Sequence, residues 1–245
     1  MKEYTPRPRE AAYEQVCAYI LENHLKPYDL LPTEREMCER WGFNRCTLRS
    51  ALKRLVSEGQ LTIKQGSGIR IAPRFSRFVQ GLQGFSEHAL SNGHEVETRL
   101  LSFSTIECDI HLAKRFNREI CDKIYRISRL RLLDNIPLMI EHSYIPCDLA
   151  LDLDEQDLIH QSLFGVLRDV YNLNLDHGYE NASITAASED EAENLKINEG
   201  DPVFWLTSFT TNSDNELIEY CRAVGRADML ELISVLKYEG ENDDE

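Results

Sequence analysis

The chain has 245 residues, with 42 Asp and Glu against 27 Lys and Arg, a formal net charge of -15 and 42% hydrophobic residues. That hydrophobic share excludes wholesale disorder, and the length allows one large or two ordinary domains with a buried core. No run approaches the ~18 apolar residues of a membrane helix, and the polar start Met1-Lys2-Glu3-Tyr4-Thr5-Pro6 lacks a secretory apolar stretch, so a cytoplasmic protein is expected. Seven cysteines (Cys17, Cys38, Cys46, Cys108, Cys121, Cys147 and Cys221) form no Cys-x-x-Cys pair, and the histidines form no closely spaced pair. Neither a disulfide framework, a metal site nor a cofactor is expected.

A pI near 4.9 argues against nucleic acid as a partner, but the charge is uneven. Residues 1–74 hold 13 basic and 9 acidic residues, a net of +4, whereas residues 75–245 hold 14 and 33, a net of -19. Within residues 40–74 there are eight basic residues and one acid, Glu58. The asymmetry predicts two domains with different partners. Ala11, Val16, Ala18, Tyr19 and Ile20 fall mostly at helical spacing and predict a first helix over residues 10–23. Thr33-Glu34-Arg35-Glu36 has the form of a capping box opening a second helix that stops before Gly42. Asn44 caps a third over Arg45–Glu58, with Leu48, Ala51, Leu52 and Leu55 on one face and Gly59 at its end. Alternating strands at Leu61–Lys64 and Ile69–Ala72 flank the turn Gln65-Gly66-Ser67-Gly68. Three helices and a hairpin in this order predict a winged helix-turn-helix.

The chemistry suits duplex DNA. The third helix displays Arg45, Thr47, Arg49 and Lys53 away from its apolar face, and residues near the start of such a helix reach base edges in the major groove. Arginine forks onto guanine O6 and N7, and threonine offers a hydroxyl or a methyl. In the wing, Lys64 and Arg70 flank Gly66 and Gly68, which let backbone approach a groove. Pro32-Thr33-Glu34-Arg35-Glu36, Asn44 through Leu55, Glu58-Gly59 and Gln65-Gly66-Ser67-Gly68 resemble the DNA-binding domain of GntR-type bacterial transcription regulators across nearly all of residues 10–72. The resemblance implies that Glu34, Arg35, Arg45, Thr47, Arg49 and Gly68 approach DNA. Cys46 stands where the family has a small hydroxyl residue, and a glycine usual after the first helix is missing from Lys26-Pro27-Tyr28-Asp29.

Beyond residue 84 the pattern changes. Val96–Phe103, Lys123–Leu133, Leu138–Ile145, Glu180–Ala186, Val203–Thr211, Leu217–Val224 and Leu230–Val235 read as strands. Asp109–Phe116, Ile159–Tyr171 and Ser188–Leu195 read as helices, the last opened by a capping box of Ser188 and Glu191. This predicts an α+β domain of antiparallel hairpins. Arg129 and Arg131, two apart on one strand, share a face, and two such charges on a buried face require an anion. Glu141 on the partner strand joins that face only if the loop around Asp134-Asn135-Ile136 has an odd length. Ser162 near a helix start favours an anion, and Glu219 is placed to accept from ligand hydroxyls. Pairing of either arginine with a carboxylate such as Glu141 is an equally good reading of the residues alone.

Phe85-Ser86-Glu87-His88, Arg129-Leu130-Arg131, Ile136 through Pro146, Ser162-Leu163-Phe164 and Arg226-Ala227-Asp228 resemble the effector domain of the HutC branch, called UTRA, which shares the chorismate-lyase fold. The resemblance implies that Ser86, Arg129, Arg131, Glu141, Ser162, Phe164 and Glu219 line a ligand site. Phe164 replaces a tyrosine of some relatives, and Gly225 replaces a commonly aromatic position. Asn44 through Arg49 and Arg226 through Glu231 also look like regulators of phosphonate-use operons. The expected organisation is a DNA-binding domain over 1–72, a linker over 73–84, an effector and dimerisation domain over 85–236, and an acidic tail over 237–245. The expected protein is a homodimeric regulator, a repressor, of a palindromic operator. Its effector is a sugar phosphate, a phosphonate or another small acid. The alternative is a chorismate-lyase-like enzyme tethered to a DNA-binding domain.

Overall fold

A computed structural model describes residues 7–64, 68–73, 75–78, 84–91 and 93–234. The chain forms two compact units, Met1–Phe75 and Ser76–Glu245, divided inside the segment expected to be a linker.

The first unit contains α1 (Pro8–Glu22), α2 (Glu34–Trp41) and α3 (Arg45–Ser57), followed by β1 (Leu61–Lys64) and β2 (Gly68–Ile71). Each boundary has a chemical cause. Pro8 sits at the start of α1, where its missing N–H costs nothing. The Thr33 hydroxyl accepts from the Glu36 amide while the Glu36 carboxylate accepts from the Thr33 amide, and Gly42 ends α2 at φ 73°. Asn44 Oδ1 accepts from the Thr47 amide at 2.8 Å and opens α3. The inward face of α1 is Ala12 and Val16, both fully buried, rather than the expected Ala11. Val16 forms one core with Leu31, Met37, Leu48, Leu52, Leu55, Leu61 and Ile69, in which truncating a leucine costs about 2–5 kcal/mol. The wing pairs Leu61 with Ile71 and Lys64 with Gly68, and Arg70 bridges to Leu30.

The second unit is built on a six-stranded antiparallel sheet. In chain order its elements are β3 (Phe75–Phe78, whose first residue belongs to the first unit), α4 (Phe85–Ser91), β4 (Val96–Glu107), α5 (Ile110–Phe116), β5 (Lys123–Leu133) and β6 (Ile136–Pro146). There follow α6 (Leu163–Asp169), β7 (His177–Ala186), α7 (Glu189–Leu195), β8 (Pro202–Thr211), β9 (Leu217–Arg226) and β10 (Leu230–Ile233). The sheet order is β4-β5-β6-β9-β8-β7, and β3 pairs with β10 apart from it. Alternation sorts the strand residues. Ile124, Leu130 and Leu132 of β5 face α5 and α7, whereas Tyr125 and Ile127 face α6. The helix expected over Ile159–Tyr171 is shorter, because Asp157 accepts from the Ile159 and His160 amides in a turn and Ser162 then caps α6. Strand β4 runs on to Glu107, past the expected Phe103, and β7 starts at His177. Val235 and the acidic tail lie outside the described residues.

Candidate functional sites

On the first unit, Arg45, Cys46, Arg49 and Lys53 are exposed on α3 and Thr47 is half-buried. Arg49 Nε donates to Glu34 Oε2 at 2.8 Å, tying α3 to α2. Glu34 therefore positions the arginine, and both Nη nitrogens of Arg49 stay out of that bond. Arg35 pairs with Glu39 one turn along α2, at 2.8 Å. Gly68 adopts φ 83°, which disfavours any side chain, and a Cβ there would also need the exposed Leu30 side chain, 2.9 Å away at Cδ1, to move. Arg70 donates to the Tyr28 carbonyl at 2.9 Å, so it braces the wing. Gly66 and the Lys64 side chain lie outside the described residues.

The second unit encloses a cavity of about 70 Å³ over the α6 face of the sheet. On the same measure a water needs roughly 10–15 Å³, so a small polar molecule fits. The cavity floor depends on one irregularity. Asp134 and Asn135, both at positive φ, make a two-residue turn, with Leu133 opposite Ile136. Such an even turn would put Glu141 on the wrong face. Between Arg131 and Leu132 the register shifts, so that Leu132 faces Pro137 but Arg131 faces Met139. The extra residue, Leu138, is a β-bulge, and it brings Glu141 directly opposite Arg129. The odd step expected of the loop comes from the strand instead.

Three charged groups then meet. Glu141 Oε2 accepts from Arg129 Nη2 at 3.1 Å and from Arg131 Nε at 2.8 Å. Arg131 Nη1 also donates to Thr98 Oγ1 at 2.6 Å, and its guanidinium lies 5.4 Å from the centre of the Phe85 ring. Both arginines are 3% exposed. Arg129 Nε and Nη1 are buried without a hydrogen-bond partner. Burial first, and then the Arg131 charge, pushes the Arg129 pKa below its usual value. Glu219 is also buried, and desolvation pushes its carboxyl pKa up. One carboxylate thus serves two guanidinium groups, and the nearby second acid resists ionisation. Counted formally the lining holds Arg129 and Arg131 against Glu141, Glu180 and Glu219, so the unpartnered Arg129 donors, rather than a net positive charge, are what suits an anion.

Arg129, Arg131, Glu141, Ser162, Phe164 and Glu219 all line this cavity. Ser162 Oγ also accepts from the Gly165 amide at 3.4 Å, so it caps α6 and faces the cavity together. Ser86 is half-buried and is not among the lining residues, whereas its neighbour Phe85 is, because α4 aims Phe85 at Arg131. Sequence reasoning missed Thr98, which accepts from Arg131, and the lining residues Met139, Ser143, Glu180, Leu206, Ser208 and Cys221. Cys221 was within reach, since alternation from Glu219 places it on the same face. Leu206 and Ser208 were not, because their face follows from pairing with Ala223 and Cys221. Gly225 packs where a Cβ would meet Leu230 Cδ2 at 2.9 Å, so an aromatic there needs Leu230 to move. Arg226 forks onto Asp228 at 3.0 and 2.6 Å, a structural pair outside the cavity. Among the described residues no cluster of His, Cys, Asp and Glu could hold a metal ion, and no helix is long and apolar enough to cross a membrane.

Comparison with known proteins matches both units. Residues 8–71 fit the model for bacterial regulatory proteins of the gntR family, and residues 91–231 fit the UTRA domain. The HTH-type transcriptional repressor NagR of Bacillus subtilis (strain 168) is 32% identical over 216 residues, 88% of this chain and 88% of that protein. The mannosyl-D-glycerate transport/metabolism system repressor MngR of Escherichia coli (strain K12) is 26% identical over 220 residues, 89% of this chain and 91% of that one. The crystal structure of PhnF from Mycobacterium smegmatis superposes with a TM-score of 0.68 at 20% identity, covering 93% of this chain and 100% of that one. At that identity the last match speaks for the fold.

Proposed function

The chain belongs to the GntR family of bacterial regulatory proteins and carries a UTRA domain, and from that premise we propose that it is a cytoplasmic, homodimeric repressor released from a palindromic operator by a small anionic metabolite. Sequence-specific transcription regulation follows from the family and its named repressors. Those relatives are regulators, which sets aside the lyase-like alternative. Effector class and dimer are the proposal. The carrying observation is Arg129: a buried guanidinium with Nε and Nη1 unpartnered, beside Arg131, in a cavity where one carboxylate serves both. A phosphate, phosphonate or carboxylate offers oxygens that accept from those planar guanidinium donors. Relatives named for fructoselysine utilisation and mannosyl-D-glycerate transport favour a sugar-derived acid or phosphate over a simple inorganic anion.

DNA is read by α3, with Arg45, Thr47 and Arg49 directed at base edges, Glu34 and Arg35 beside them, and Lys64, Gly66 and Gly68 in the wing at the backbone. Two such heads address two half-sites, as a symmetric dimer requires. An effector that prefers the operator-incompetent state weakens DNA binding by the factor of its own preference. The test is thermal melting of the full chain with sugar phosphates, phosphonates and small carboxylic acids, followed by operator gel shifts with any compound that binds. A ligand at 100 times its Kd adds about 2.7 kcal/mol of stability. Arg131→Ala keeps operator binding and loses the effector response. An unchanged response in that variant discards the anion site.

A further inference from the structure

The third helix has two flanks, and an arginine is held in the same way on each. On one flank Arg49 Nε donates to Glu34 Oε2 at 2.8 Å. On the other, Arg54 Nε donates to Glu58 Oε1 at 2.7 Å, and its guanidinium lies 4.4 Å from the centre of the Tyr13 ring. Glu58 is itself fixed, because its Oε2 accepts from the Tyr13 hydroxyl at 2.7 Å and from Gln60 Nε2 at 3.1 Å. Arg54 is therefore held through Nε, and its Nη nitrogens take no part in that bond. At 3.6 residues per turn, Arg49 and Arg54 point about 140° apart around the helix. The exposed Cys46 and Lys53 lie between them. Beside Arg54, the start of α1 and the α3 residues Ser50 and Ala51 border a cleft of about 280 Å³. The exposed Arg7 and Arg9 complete its lining, with Glu10 as the acid among them. The Glu10 carboxylate already accepts from the Arg7 amide at 3.1 Å.

We propose that this cleft clamps a backbone phosphate of the operator, on the DNA strand that lies across α3 from α2. The inference rests on the reading of α3 as the recognition helix. A major groove about 12 Å wide closes around a helix ~10–12 Å across, so a sugar-phosphate strand runs along each flank. The Glu34–Arg49 flank faces one strand. The Arg54 flank faces the other, with Cys46 and Lys53 turned into the groove between. Arg7, Arg9 and Arg54 against Glu10 concentrate positive charge in a chain of net charge -15. Exposed guanidinium groups hold a free small anion poorly, because water and salt screen each pair. A DNA phosphate differs in two respects: the contacts of α3 deliver it, and its condensed counterions are released on binding. Phosphate contacts fix the register of a protein on the duplex and carry no base preference. Arg7, Arg9 and Arg54 are thus positioning residues, and the reading of sequence stays with Arg45, Thr47 and Arg49.

The experiment uses the full chain and an operator that it selects from random duplexes. Fluorescence anisotropy over a salt series compares the wild type with Arg7→Gln/Arg9→Gln, two exposed positions outside the hydrophobic core. The slope of log affinity against log salt is expected to flatten by about 0.9 for each head bound, with the same proportional loss on operator and scrambled DNA. The melting temperature stays at the wild-type value. A scan with single neutral methylphosphonate linkages then locates the contact. The wild type loses affinity at one phosphate of each half-site, and the variant is indifferent there while it keeps wild-type sensitivity at the other phosphates. Arg54→Gln, made separately, is indifferent at that same phosphate. An unchanged salt slope, or a variant as sensitive as wild type at every linkage, overturns the clamp and leaves α3 as the reader. A full chain that prefers no duplex sequence overturns the reading of α3 and the clamp together.

Discussion

Glu141 holds two buried arginines, and its removal is the sharpest test of the effector site. In Glu141→Gln the side chain keeps its volume but loses its charge. Arg129 and Arg131, each 3% exposed, then lose the carboxylate that accepts from both, and Glu219 is the remaining buried acid beside them. Breaking one buried ion pair by removing a partner costs about 3–5 kcal/mol. At about 2–4 °C per kcal/mol for a chain of this size, the melting temperature falls by roughly 6–20 °C. The loss comes from charge rather than packing, so Arg129→Met added to Glu141→Gln recovers part of it. Inorganic phosphate should also stabilise Glu141→Gln more than it stabilises the wild type, since the variant has an extra unpaired cation to offer. Differential scanning calorimetry in phosphate-free buffer of low ionic strength is the assay. A Glu141→Gln protein that melts within about 2 °C of wild type, with no added response to phosphate, refutes the reasoning.

Glu219→Gln addresses the buried acid. Its folded pKa lies above the unfolded value, so the native state holds the proton more tightly and loses stability as pH rises from the unfolded pKa of ~4.3 toward the folded one. The neutral variant should therefore match wild type near pH 4 and melt progressively higher than it toward pH 8; a difference independent of pH contradicts the buried, proton-holding carboxyl. Arg45→Ala and Arg49→Ala should each lower operator affinity roughly 5- to 150-fold while effector binding persists, and fluorescence anisotropy with operator and scrambled DNA measures both. Glu34→Ala should shift operator affinity in the same direction with little change in melting, because an exposed pair adds little stability. Equal operator binding by Glu34→Ala would remove its positioning role. Gly68→Ala forces a Cβ to 2.9 Å from Leu30 at a positive φ, so it should weaken operator binding through a displaced wing, and wild-type affinity would show that the wing tolerates the shift.

Much of the first unit was legible because its signals are local. Thr33 with Glu36, Asn44 with Thr47, and Gly42 at positive φ place helix ends through bonds spanning three or four residues. The β5 strand boundaries and the caps of α5 and α7 were equally readable, since alternation and Asp or Ser caps are contained in short windows. Ile159–Tyr171 misled because an apolar periodicity continues through a turn that Asp157 enforces by side-chain bonds. The candidate site was partly visible for the same reason: Arg129 and Arg131 share a face by parity alone.

Their relation to Glu141 was of another kind. Whether the three groups meet turns on Leu138, a buried bulge residue that no composition or spacing marks, and on which face of β6 α6 covers. Alternation along one strand is set by covalent geometry, so the chain carries it in any context. Register between strands is set by the packing of both faces at once, because a one-residue slip exchanges every side chain between them. The meeting of Arg129, Arg131 and Glu141 in the cavity, the partnerless nitrogens of Arg129 and the outer edge of β7 all lie on that second side. The basic and acidic segments were written in residue order, whereas the cavity that gathers Arg129, Arg131 and Glu141 depended on how six strands came to lie side by side.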